Sequence, residues 1–191
     1  QREEDRVEAL LLSEEDRSTH FLSIRITDPE VIRNLVEVQD SITGAEPILR
    51  DCCMKESLFH LTLTMLRLQG AESEAKAKVM MKKLQPKLAE LLADSERATL
   101  DISGLGNFGQ RVVYAAVQPW NQETFQRLVG EVHQAVEDAG DGVRGTNNFE
   151  FVPHVTVAKV SRPVARERHS KYVPTSHYSE HCGKRMGSQV M

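Results

Sequence analysis

The stretch FHLTL at residues 59–63 returns as PHVTV at residues 153–157, and nothing else in the chain restricts the fold so tightly. Alternating aliphatic and β-branched residues in short runs of this kind form β-strands. In an extended strand residues two apart share a face, so His60 and Thr62 point one way and Leu61 the other. His154 and Thr156 stand in the same relation about Val155. An imidazole set in an apolar strand costs free energy unless both ring nitrogens find partners. Either histidine alone reads most simply as a satisfied core residue, but the repeated pattern argues for a shared purpose. If two copies of one unit face each other across a pseudo-two-fold axis, both polar faces meet in a single cleft.

The remaining pattern supports two such units. HFLSIRIT from His20 alternates as a strand, and Asp28 with Pro29 opens a helix whose Val31, Leu35, Val38 and Ile42 recur at helical spacing up to Gly44. Residues 58–66 form the first histidine strand, and residues 72–93 a long Ala-, Lys- and Glu-rich helix with a kink expected at Pro86. The strands ATLDIS and RVVYAAV follow, then a helix from about Asn121 to Ala139. A Gly- and Asn-containing loop leads into FEFVPHVTVAKV. Each histidine strand is thus preceded by a strand and a helix. Residues 1–19 read as an acidic linker or short helix outside the core, 20–161 as the domain, and 162–191 as a polar segment that stops short of a final strand.

Two further motifs invite a function and do not hold it. GLGNFG, Gly104 to Gly109, matches a dinucleotide fingerprint, but that fingerprint needs a helix whose N-terminal amides face the pyrophosphate. The β-branched QRVVYAAV follows instead, so a glycine-rich hairpin is expected. HYSEHC places His177, His181 and Cys182 at spacings known from zinc sites, yet a fourth ligand and an apolar shell are missing. No metal and no cofactor are expected. His133 and the lysines 82, 83 and 87 read as solvated helix faces.

Charge and cysteine usage exclude further classes. A formal charge of −4 argues against bulk capture of long duplex nucleic acid, although a small anion needs only a local pocket. No apolar run is long enough to span a membrane. Three cysteines, two of them adjacent at Cys52 and Cys53, make no disulfide framework and fit a reducing compartment, the cytoplasm or nucleus. The chain opens on Gln1, so a targeting segment is expected to lie outside this sequence.

Two imidazoles and two hydroxyls in one cleft suit phosphodiester chemistry. One histidine deprotonates the attacking oxygen, the other protonates the departing one, and the hydroxyls hold the nonbridging oxygens. No Asp/Glu cluster of metal-ligand type lies near either stretch.

With these residues in view, the chain resembles the 2H phosphoesterase superfamily, whose two H-x-[ST] motifs appear as His60-Leu61-Thr62 and His154-Val155-Thr156. FLSIRIT, FHLTLTMLRL, GLGNFG and PHVTVAKVS resemble the branch that contains the central domain of A-kinase anchoring protein 7. The resemblance covers about His20 to Ser161. It implies an α+β, bilobal 2′–5′ RNA ligase-like fold, with two antiparallel sheets around a central cleft and helices outside. It implies His60 and His154 as catalytic residues, and Thr62 and Thr156 as substrate-binding ones. Phe151 is a further candidate, for stacking on a base. The implied substrates are small RNAs, oligonucleotides or nucleotides carrying 2′,3′-cyclic phosphates or 2′–5′ linkages. A nucleotide- or RNA-end-binding module without turnover is the rival reading, and a scaffold whose helices bind a protein partner is a third.

Overall fold

The computed structural model describes residues 17–93, 98–146 and 150–191. The expected acidic segment therefore lies outside the described residues up to position 16, and so does part of the loop before the second motif. The elements run β1 (His20–Arg25), α1 (Pro29–Ala45), β2 (His60–Leu68), α2 (Gly70–Ala93), β3 (Thr99–Phe108), β4 (Val112–Pro119), α3 (Gln122–Ala139), β5 (Val143–Gly145), β6 (His154–Lys159), α4 (Arg162–Glu167) and β7 (Arg185–Val190). The chain divides into two compact units. Among the described residues no helix is long and apolar enough to cross a membrane.

The smaller unit takes in residues 17–22, 63–93, 126–146 and 150–151. The second half of β2 pairs antiparallel with β5, Leu66 opposite Gly145 and Leu68 opposite Val143. Leu66 and Leu68 pack with Ala77 and Met80 of α2, with Val136 of α3 and with Val143. Spacings of three and four along α2 bring Ser73, Ala77, Met80 and Leu84 to one buried face, and the helix continues through Pro86. Thr19, placed outside the core by its sequence context, is tied in: its N–H donates to the Leu66 carbonyl at 2.8 Å, and its hydroxyl accepts from the Leu68 N–H at 2.9 Å.

In the larger unit, residues 23–62, 98–125 and 152–191, the strand order is β1-β2-β6-β4-β3-β7. The helix α1 starts as its sequence dictates. The Asp28 carboxylate accepts from the N–H groups of Glu30 and Val31, and Pro29 takes the first turn, where its missing N–H costs nothing. Gly44 does not end the helix, which continues to Ala45 and is closed by the Glu46 N–H donating to Ile42. Val31, Leu35, Val38 and Ile42 are fully buried, in one core with Leu61, Leu100, Ile102, Val113, Ala115, Val155 and Val157. The Gln39 amide, buried among them, donates to the carbonyls of Met54 and Val157. It thereby ties α1 to the carbonyl of Met54 and to that of Val157, which also accepts from the Met54 N–H.

The polar segment after Ser161 is not a tail. Ser161 caps α4, and β7 pairs antiparallel with β3 from Thr99↔Val190 to Ser103↔Arg185, so this segment adds a strand to the sheet. Its composition conceals it, because each polar residue is used. Gln189 is buried and accepts from the N–H groups of Thr27 and Asp28; Asn34 of α1 donates to the Met186 carbonyl; Arg185 and Ser188 both donate to Asp101. Gly187 sits at φ 132°, and a Cβ there would stand 2.9 Å from a Val31 methyl. A side chain would push the strand off the helix. The domain thus extends beyond Ser161 to Val190.

Candidate functional site

His60 and His154 are each the first residue of a strand, β2 and β6, and the two strands pair directly, Leu61 opposite Val155. The expectation that the two motifs lie in different lobes is thereby corrected: both belong to the larger unit, as neighbours in one antiparallel ladder. A two-fold axis still relates them. It passes between Leu61 and Val155, whose fully buried side chains face the core. The register sets His60 opposite Thr156 and Thr62 opposite His154, with all four on the other face of the sheet. Direct cross-strand pairs hold their Cβ atoms roughly 5 Å apart and diagonal ones roughly 7–8 Å. Two imidazoles on a diagonal of that length flank a phosphate-sized space, with a threonine hydroxyl beside each.

Both rings are held in the same way. The Nδ1 of His60 lies 2.7 Å from the Leu58 carbonyl, and the Nδ1 of His154 lies 2.7 Å from the Val152 carbonyl. A carbonyl only accepts, so Nδ1 carries a proton in each case and, in the neutral ring, the lone pair is on Nε2. In each motif the acceptor is the residue two before the histidine. The tautomer is therefore fixed by backbone just outside the strand, and all four side chains are half-buried, open enough to meet a ligand.

The sequence did not reveal an aromatic wall beside His154. Tyr114 of β4 pairs with Thr156, and its ring lies 5.3 Å from that of His154, centroid to centroid. Phe108 stacks on Tyr114 at 4.4 Å and meets His154 edge to face at 4.9 Å. The Tyr114 ring occupies the space over Gly106, where a Cβ would come within 2.5 Å of it. GLGNFG is thus a hairpin arm: Gly109 and Gln110, both at positive φ, form the tight turn, closed by the Arg111 N–H on the Phe108 carbonyl. Phe151 belongs to the smaller unit and is 37% exposed.

The other motif histidines serve the C-terminal segment. His177 faces Glu46, which Arg168 also grips through two bonds of 2.6 Å, and His181 bonds Ser41 of α1 at 2.8 Å. Cys182 lies in the turn before β7, its thiol toward the Tyr178 carbonyl. Among the described residues no group of three or more His, Cys, Asp or Glu converges as metal ligands would. Cys53, beside β6, has its thiol pushed up to about 11 by burial and stays protonated.

The model of the AKAP7 2′5′ RNA ligase-like domain matches residues 18–189. The chain belongs to that family. Human A-kinase anchor protein 7 isoform gamma is 24% identical over 174 residues, which are 90% of this chain and 49% of that protein. The chain thus spans about half the length of this curated relative. Two solved structures share the fold. The MHV ns2 PDE domain aligns with a TM-score of 0.55 at 15% identity, over 75% of this chain and 84% of that one. The Thermus thermophilus protein TT0787 aligns at 0.52 and 22%, over 73% and 72%. The AKAP7-like domain is accordingly an α+β fold of the 2′5′ RNA ligase-like kind, and its match runs to Gln189 in β7, well past the Ser161 at which the sequence resemblance stopped.

Proposed function

We propose that the protein is a metal-independent phosphoesterase that opens RNA-type phosphodiesters, 2′,3′-cyclic phosphate ends or 2′–5′ linkages, by two-histidine acid–base catalysis. The observation that carries this reading is the matched pair of Nδ1-anchored rings on one sheet face, diagonal to each other and each opposite a threonine. In the reaction a neutral histidine takes a proton on Nε2 from the attacking water. As the P–O bond breaks, the other, protonated on Nε2, delivers its proton to the leaving ribose oxygen. The Thr62 and Thr156 hydroxyls donate to the nonbridging oxygens, where charge accumulates in the transition state. Proton for proton the step balances: one water is consumed, one phosphomonoester and one alcohol appear, and the two histidines end with their roles exchanged.

The test is incubation of purified protein with nucleoside 2′,3′-cyclic phosphates and 2′–5′ oligoadenylate, with and without EDTA. Turnover that EDTA leaves unchanged is expected, and activity abolished by EDTA would show that the mechanism needs a metal. A second reading, a nucleotide- or RNA-end-binding module with little turnover, draws support from the relative, which is named as an anchor protein. Tight nucleotide binding without hydrolysis of any of these substrates would select it.

A further inference from the structure

We infer that Phe108, backed by Tyr114, is a nucleobase platform, so that the site takes a phosphate carried by a nucleoside rather than a bare sugar phosphate or inorganic phosphate. This rests on the phosphoesterase reading for the position of the phosphate, and on separate observations for the base.

Phe108 is 39% exposed, whereas Phe59 and Phe125 are buried to within 1%. It therefore does not serve as a core residue. One face of its ring is taken by Tyr114 at 4.4 Å and its surroundings include the His154 ring at 4.9 Å, so its exposed surface lies beside the proposed phosphate position. Its backbone is fixed. Phe108 is the last residue of β3, the Arg111 N–H bonds its carbonyl, and the neighbouring Asn107 side chain accepts from the Gln110 N–H at 2.9 Å. Tyr114 cannot retreat, because β3 lies directly beneath it at Gly106. A ring backed on one face and fixed through its backbone in this way loses little freedom when a base stacks on it, which is what makes such a platform effective. A π-face carries no donor or acceptor pattern, so the platform favours a base over no base without choosing strongly among the four.

The experiment measures the dissociation constants of adenosine 2′-monophosphate and of inorganic phosphate by NMR titration. It uses the wild type, Phe108→Leu, which keeps the bulk but loses the π-face, and Phe108→Trp, which keeps both. The wild type should prefer the nucleotide. Phe108→Leu should weaken nucleotide binding roughly 5- to 150-fold, the equivalent of the about 1–3 kcal/mol of one base–aromatic stack. Its affinity for inorganic phosphate should be unchanged, and Phe108→Trp should restore nucleotide binding. Parallel weakening of both ligands would mean that Phe108 only packs His154, and would overturn the platform. So would a wild type that binds the nucleotide no more tightly than inorganic phosphate, even if cyclic phosphates are hydrolysed. Conversely, a nucleotide preference that Phe108→Leu removes, in a protein that hydrolyses no cyclic phosphate, would support the platform and sink the phosphoesterase reading alone.

Discussion

Each histidine anchors its ring through Nδ1 and does its proposed chemistry through Nε2, and replacement by alanine removes both. His60→Ala or His154→Ala should lower kcat/KM by about 10² to 10⁴, the usual contribution of one positioned proton-transfer group. The double mutant should lose less than the product of the two, because groups acting as a unit are not additive. Thr62→Ala and Thr156→Ala should cost less, about 10- to 10³-fold, as expected for one hydrogen bond to developing charge. Since one ring must be neutral while the other is protonated, the pH profile of kcat/KM should be bell-shaped, with limbs that belong to the pair. A flat profile, or full activity in either alanine variant, would refute the assignment. Gly106→Ala tests the wall: a methyl 2.5 Å from the Tyr114 ring must displace it, at about 1–3 kcal/mol of stability by thermal unfolding. The four motif residues were legible because their spacing repeats. Phe108 and Tyr114 were not, because they meet through a register that shifts between Ile102 and Leu105, and a bulge of that kind leaves no trace in a hydrophobic pattern.

Among the elements, β7 was the one hidden by composition. Gly187→Ala should destabilise the domain on two grounds, a φ of 132° that side chains rarely adopt and a collision with Val31. An unchanged melting temperature would mean that the strand tolerates displacement from α1. The contact between the end of α1 and the segment after α4 has a pH signature. Hydrogen bonding by Arg168 holds the Glu46 carboxyl below its ordinary 4.5, with a smaller effect of the same sign from His177. A depressed carboxyl pKa stabilises the fold above the unfolded value, and that stability is lost as pH falls through the folded value. Glu46→Gln, which leaves the nearly buried Arg168 without its partner charge, should therefore cost most near neutral pH, about 2–4 kcal/mol, and progressively less below 4.5. A penalty independent of pH would place the loss in packing instead. Helix α1 was readable almost to the residue because its cap, proline and apolar spacing agree, and only its end went past Gly44.

For the molecule as a whole, the order of most elements followed from periodicity and the α+β class from the family resemblance, whereas the pairing of β2 with β6 followed from neither. Strand neighbours far apart in sequence are chosen by the packing of the finished sheet, which no local window contains. A formal charge of −4 makes a molecule-wide prediction. Binding of a mononucleotide should fall by about one decade or less per decade of salt, as for a single phosphate contact, and long duplex RNA without a reactive end should compete poorly. A steep salt dependence would point to an extended basic track. The β3–β7 ladder has one more consequence, for the protein as it is made. On the side away from β4, Thr99 pairs with Val190, so a ribosome that has already released β3 and β4 still holds the strand that covers this edge of β3. Until then β3 offers a row of unpaired amides and carbonyls, and the nascent chain should engage holding chaperones in that interval, releasing them once residue 190 is clear of the exit tunnel.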